Sequence, residues 1–332
     1  MNFELSHHTN KIDILAKYSR EHISPHISKS IHMYDIADSS ADSSNMLTTI
    51  LQVSKTHQHP KIYDFIELLN FFPFCITHKC NIGLYTLYNE ELIRYIKICR
   101  PFTSDCSHSF NLNEKKFTHS EIEKFNKSNS LGKNSMELLI FDIPSPEKLN
   151  DYVCLNIGII INIINQQSIG GTSIIKIDNL SYKPILDIIY ILNFFYKKIA
   201  IVNTFANSEK YLICMNYINS DISYLQGMES ILKTVTADHI SSVISQNLPL
   251  LFLNKIDEYL IIMHMQQLLI SDCKSKPDKM DTYKKTSIHQ SIKWCEKHKI
   301  PHNKCLDKVN MFLATRSQPA NEITENIFLK PS

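Results

Sequence analysis

Glycine is scarce in this chain, with six in 332 residues, and no G-x-G-x-x-G follows any expected strand. That excludes the dinucleotide-binding fingerprint of nicotinamide and flavin oxidoreductases, whose glycines let the backbone approach a pyrophosphate. Arginine is nearly absent too, standing only at Arg20, Arg94, Arg100 and Arg316, and tryptophan occurs once, at Trp294. Neither sign of charge dominates. A net charge of +2 excludes a chain-wide polyanion-binding surface and leaves a local basic groove as the route to nucleic acid. Long hydrophobic runs are missing as well. The most apolar windows, 157–164 and 259–270, are too short or too interrupted to span a bilayer. MNFELSHHTN has no basic-then-apolar leader pattern. The nine cysteines are scattered and odd in number, and those such as Cys154 and Cys214 lie in apolar runs. Such usage excludes a disulfide framework and reads as reduced core thiols. The expectation is a soluble, cytoplasmic protein with no membrane partner.

What is present is an ordinary core-forming composition, 43% hydrophobic and 20% charged, in a chain long enough to bury a large interior. Residues 1–44 are polar and read as a surface arm with some helix near 10–20. A helix is expected over 46–53, strands over Tyr63–Leu69 and Asn81–Leu87, and a helix over 90–99. The segment 101–135 reads as loops with a short helix near 119–126. MELLIFD is a strand that stops at Asp142 before Pro144, and 149–166 is an apolar helix. Gly170-Gly171 turns the chain into the strand SIIKI, because glycine adopts positive φ without penalty. PILDIIYILNFFYK follows as a helix with Pro184 in its first turn, then KIAIV and KYLICM as strands. Strands alternating with helices predict an α/β fold with a mainly parallel sheet and an antiparallel pair at one edge. Beyond Asn219 the pattern is helical. The expected organisation is an arm at 1–44, a core domain at 45–218, an α-helical region at 219–316 and a tail at 317–332.

Three ionisable residues fall where chemistry is expected. Ligands of open parallel sheets bind at the carboxyl ends of the strands. Asp142 sits at one such end, Lys176 lies on the next strand and Glu209 opens a later one. Burial disfavours the charge of such a lysine while carboxylates favour it, so the trio can hold a proton acceptor or an orienting cation. The plainer reading has Lys176 extending to solvent and Glu209 capping a turn beside Ser208. Cys295, His298, His302 and Cys305 form C-x2-H-x3-H-x2-C, a spacing with ligand types suited to zinc. All four crowd one helix end without a second knuckle, and the expectation is a packed helix end with no metal.

From Met136 to Tyr217 the chain resembles the FtsJ-like ribose 2′-O-methyltransferases, in the style of cap-modifying members and those of large DNA viruses. The features that carry this are LLIFD before a loop, an apolar helix, GGTSIIKID, a second helix and N-S-E-K-Y before an apolar strand. The resemblance implies a Rossmann-like methyltransferase sheet, S-adenosylmethionine as cofactor and capped mRNA as partner. It also implies a Lys-Asp-Lys-Glu set in which Asp142, Lys176 and Glu209 supply the last three members, Lys176 as general base. The family's glycine-rich cofactor loop is expected at ELLNFFPFCIT, which makes Pro73, Phe74 and Asp142 the cofactor-binding candidates. That stretch contains no glycine. The first lysine belongs on the preceding helix, where Lys55 lies too close to the expected strand. Two readings follow: an RNA ribose methyltransferase, or an inactive methyltransferase-fold subunit that binds RNA or a protein partner, the latter through the C-terminal helices.

Overall fold

The structure, a computed structural model, describes residues 2–6, 12–19, 45–54, 59–71, 80–99, 106–109, 135–218, 223–233 and 239–303. The elements run β1 (Asn2–Ser6), β2 (Ile14–Ser19), α1 (Asn45–Val53), α2 (Pro60–Phe71), β3 (Asn81–Thr86), α3 (Asn89–Cys99), β4 (Cys106–Ser109) and β5 (Met136–Asp142). They continue α4 (Leu149–Gln166), β6 (Gln167–Lys176), α5 (Lys183–Phe195), β7 (Tyr196–Asn203), β8 (Lys210–Tyr217), α6 (Ser223–Lys233), β9 (His239–Ile244), α7 (Leu250–Ser275) and α8 (Pro277–Lys297). Seven strands form one sheet in the order β1-β7-β8-β6-β5-β3-β4. β3 is parallel to β4 and β5, and β5 to β6, while β8 runs antiparallel to both β6 and β7. This is the expected Rossmann-like α/β sheet. The short connection from Asn203 to Lys210 makes β7 and β8 antiparallel neighbours, and β8 fills the place between β6 and β7.

Alternation along the strands assigns each side chain to a face. Leu138 and Ile140 of β5 point toward Phe65 and Leu68 of α2 and Leu92 and Ile96 of α3. Leu139 and Phe141 point the other way, into the cluster built by Val153, Ile157, Ile160 and Ile164 of α4 and Ile185 and Ile189 of α5. Each of these fully buried aliphatic side chains contributes roughly 1.5–3 kcal/mol of transfer free energy. In β6 the register jumps from Met136↔Gln167 to Leu138↔Thr172, and Gly170 takes φ 81° within that irregularity. The glycine pair therefore makes a bulge inside the strand, not a turn ahead of it.

Three local expectations are corrected. The stretch expected as a strand at Tyr63–Leu69 is the helix α2. Its apolar residues Ile62, Phe65, Ile66 and Leu69 follow helical spacing, and Pro60 stands at its first position. Almost every side is apolar because α2 is packed twice: Phe65 and Leu68 against the sheet, and Ile62, Tyr63 and Ile66 against Ile50, Val53, Ile292 and Cys295 of α1 and α8. Secondly, the described residues of the N-terminal arm form strands, β2 standing where a helix near 10–20 is expected from the sequence. β1 pairs antiparallel with β7, and β2 pairs antiparallel with β9. In β2, Ile14, Ala16 and Tyr18 turn toward the main core while Leu15 is 58% exposed, a two-residue period that a helix cannot satisfy. Thirdly, β9 is a strand in the region expected to be wholly helical. The expected helix near 119–126, the loop at Pro73 and Phe74, and the tail at 317–332 lie outside the described residues.

Asp187 ties the small sheet to the large one. Its buried carboxylate accepts from Lys183 Nζ (2.9 and 3.1 Å), Ser242 Oγ (2.7 Å) and the backbone N–H of Val243 (2.8 Å). Removing one partner of such a buried network leaves others unpaired and costs about 3 kcal/mol. Asp187→Ala is expected to lower stability by about that amount in urea unfolding. A loss below about 1 kcal/mol would show that β9 is held by packing alone.

Candidate active site

β5, β6 and β8 are adjacent, and the carboxyl ends of β5 and β6 share an edge with the start of β8. That topology brings Asp142, Lys176 and Glu209 to one place. Lys176 Nζ lies 3.0 Å from Glu209 Oε2. Asp142 is buried and accepts from Tyr211 Oη (3.2 Å) and Thr86 Oγ1 (3.3 Å). The residue that joins the two halves is Lys61, in the first turn of α2. Its Nζ donates to Glu209 Oε1 at 2.8 Å and lies 3.8 Å from Asp142 Oδ1 and 4.0 Å from Asp64 Oδ2. Because α2 leads toward β3, its N-terminus sits at the carboxyl edge of the sheet. This lysine stands on the helix before β3, six positions beyond Lys55.

The β7–β8 turn that presents Glu209 is held by the same helix. Asp64 accepts from Asn207 Nδ2 (2.7 Å), and Asn207 also donates to the Pro60 carbonyl (3.2 Å). Glu67 accepts from the backbone N–H of Phe205 (2.8 Å) and from Trp294 Nε1 (3.3 Å). Within the turn, Ser208 adopts φ 55°, and the Thr204 N–H donates to the Glu209 carbonyl at 2.9 Å. Lys61, Asp64 and Glu67 recur every three residues and carry the charges of a mainly apolar helix. Reading the stretch as a helix from Pro60 and the i, i+3, i+4, i+7 apolar positions would have found them.

Electrostatics separate the roles. Burial works against the Lys61 ammonium, yet Asp142, Glu209 and Asp64 together outweigh it and hold its pKa above the usual lysine value. Burial likewise works against ionised Glu209, and the two lysines overcome it, leaving its pKa below the usual carboxylate range. Asp64 goes the other way: burial raises it to about 6, against the pull of Lys61. Burial, then the charges of Asp142, Asp64 and Glu209, push the Tyr211 phenol well up, so it stays a donor. Three carboxylates, Asp142, Asp64 and Glu209, stand against the two lysines at this edge.

The other sequence candidates do not join this site. Cys295 is buried in the core between α1, α2 and α8, and the His298 ring lies against Trp294 with centroids 4.6 Å apart. Burial lowers the His298 pKa to about 4. Cys305 lies outside the described residues, and among the described residues no group of three or more His, Cys, Asp or Glu is gathered to hold a metal ion. Cys154 and Cys214 are buried free thiols. Among the described residues no helix is long and apolar enough to cross a membrane.

No family model matches the sequence, and no curated protein matches it. Solved structures do match by shape. Among them is the crystal structure of human methyltransferase-like protein 13 in complex with SAH, 10% identical, covering 55% of this chain and 95% of that one with a TM-score of 0.32. At that score the likeness carries no argument about the site, which stands on the geometry above.

The carboxylates make opposite contributions to stability with pH. Asp64, raised to about 6 from 3.8, contributes stability that is present below about 3.8 and lost as pH rises through about 6. Glu209, lowered from 4.5, contributes stability that is present above that value and lost as pH falls below it. Asp64→Asn should therefore gain melting temperature relative to the parent between pH 4 and pH 7, and Glu209→Gln should lose it. Parallel melting curves for parent and Asp64→Asn across that range would refute the assignment.

Proposed function

We propose that the chain is an S-adenosylmethionine-dependent RNA ribose 2′-O-methyltransferase acting on mRNA caps. The observation that carries this reading is Lys61: its ammonium, 2.8 Å from Glu209 and 3.8 Å from Asp142, completes the Lys-Asp-Lys-Glu set implied by the sequence resemblance. A ribose 2′-hydroxyl is a poor nucleophile until a base takes its proton. Lys61, ringed by carboxylates, is the fixed cation. Lys176, paired only with Glu209 among the ion pairs described, is the proton acceptor. It takes the hydroxyl proton as the ribose oxygen attacks, and Glu209 steadies the ammonium that forms. The excess of carboxylates at the edge suits a cationic donor, for which Asp142 is the candidate among the described residues, and Lys176 accepts the proton in its neutral form. S-adenosylmethionine, when bound, supplies the methyl group on a sulfonium.

A second reading, a methyltransferase-fold subunit without catalysis that binds RNA or a protein partner, is favoured by two observations. The chain leaves β3 through Leu87 and Tyr88 with no glycine, and the Tyr88 ring lies against His59 with centroids 4.2 Å apart. Also, α7 exposes Ile261, Met265, Leu268 and Leu269 at helical spacing, Leu269 at 63%, a face suited to a protein partner.

Calorimetric titration with S-adenosylmethionine, then methyl transfer to capped RNA, separates the two. Lys176→Ala should lower the rate roughly 10²- to 10⁴-fold, the usual span for removing a general base. Lys61→Ala should lower it with Lys176 intact. An absence of cofactor binding at millimolar concentration would sink the enzymatic reading in favour of the second.

A further inference from the structure

Asp64 is a charge the turn alone does not require. Its side chain is fully buried, and an ionised carboxylate in such a place is expensive. Its Oδ2 accepts from Asn207 Nδ2, Thr204 is a further hydrogen-bonding neighbour, and an asparagine at 64 would accept such a bond without a charge. What asparagine cannot supply is a negative charge opposite an ammonium. Lys61 stands one helical turn earlier with its Nζ 4.0 Å away, on a lysine that is itself mostly buried. The charged and titratable groups around Asp64 are Lys61 on its own helix, Glu209 at the β7–β8 turn, and Tyr211 of β8.

We infer that Asp64 is a positioning residue for this cluster: its buried charge fixes the Lys61 ammonium beneath Glu209, so that Lys176 is the lysine left to exchange a proton. The inference rests on the proton-transfer reading of the cluster, and its consequence for Lys61 can be measured without methyl transfer. Asp142 already takes hydrogen bonds from Tyr211 and Thr86, and Glu209 is shared between two lysines. Asp142 and Asp64 are the carboxylates that Lys61 does not share with Lys176, and Asp64 is the one that reaches the ammonium from its own helix, one turn on.

The experiment is amine labelling with acetic anhydride at mildly alkaline pH, followed by peptide mass spectrometry of the folded chain. In Asp64→Asn, Lys61 should label about tenfold faster for each unit its pKa falls, with the other lysines unchanged, and Asp64→Glu should restore protection. In methyl transfer to capped RNA, Asp64→Asn should lower kcat with KM unchanged and flatten the acidic limb of the pH profile. An unchanged Lys61 labelling rate in Asp64→Asn overturns the inference. Faster Lys61 labelling in Asp64→Asn, with no methyl transfer by the parent chain, upholds the charge coupling and overturns the enzymatic reading alone. If every lysine labels faster, signalling unfolding, the parent chain decides. Carboxyl-carbon NMR should show an aspartate titrating near pH 6, with the Lys61 ammonium signal moving at the same midpoint. Independent midpoints overturn the inference.

Discussion

Glu209 bridges two lysines with its two oxygens, Lys61 on Oε1 and Lys176 on Oε2, and the rest of the edge is arranged to keep it there. The carboxylate sits at the end of a short turn between antiparallel strands, a location that would ordinarily move freely. Here the turn is fastened to α2 through Asp64 and Glu67. The helix in turn is gripped between the sheet and the α1–α8 pair. Position is thus inherited from packing: apolar contacts on two sides of α2 set where its charged stripe lies, and that stripe sets where Glu209 lies.

The two faces of the sheet handle buried polarity differently. On the α4 side, apart from the Asp187–Lys183 pair of α5, the buried side-chain networks described are neutral. Tyr85 donates to Gln166 (2.7 Å), which donates to Asn162 (3.0 Å), and Ser173 links Gln167 (2.6 Å) with Tyr196 (2.7 Å). Such networks specify a packing arrangement without a large desolvation cost. On the α2 side the groups are ions, each carrying a penalty that only well-placed partners offset. Neutral networks and the Asp187–Lys183 pair fasten the α4 side, whereas the α2 side gathers Lys61, Asp64, Asp142, Lys176 and Glu209 at one edge.

Asp142, Lys176 and Glu209 were legible because each interrupts an apolar strand pattern, and strand ends in a parallel sheet converge. Lys61 was not, although the residues around it obey helical spacing. A helix buried on two sides loses its polar face, and YDFIELL then reads equally well as a buried strand. The early strands were hidden for the opposite reason. NFELS and ILAKYS are short and only half apolar, and their pairing partners, β7 and β9, lie about two hundred residues away or more. No local window contains that information. The α/β alternation from Met136 to Tyr217 was legible because each element there is long, apolar and separately bounded.

The outermost strand has a practical consequence. β1 occupies the free edge of β7 from Asn2↔Val202 to Ser6↔Lys198, covering a row of backbone donors and acceptors beside buried Ile199, Ala200 and Ile201. A strand edge of that kind, once bared, is a template for other chains. Handling of this protein should therefore spare its first residues: a deletion there would act less like loss of a tail than like removal of a seam, exchanging a short five-residue edge strand for the longer, more apolar edge of β7.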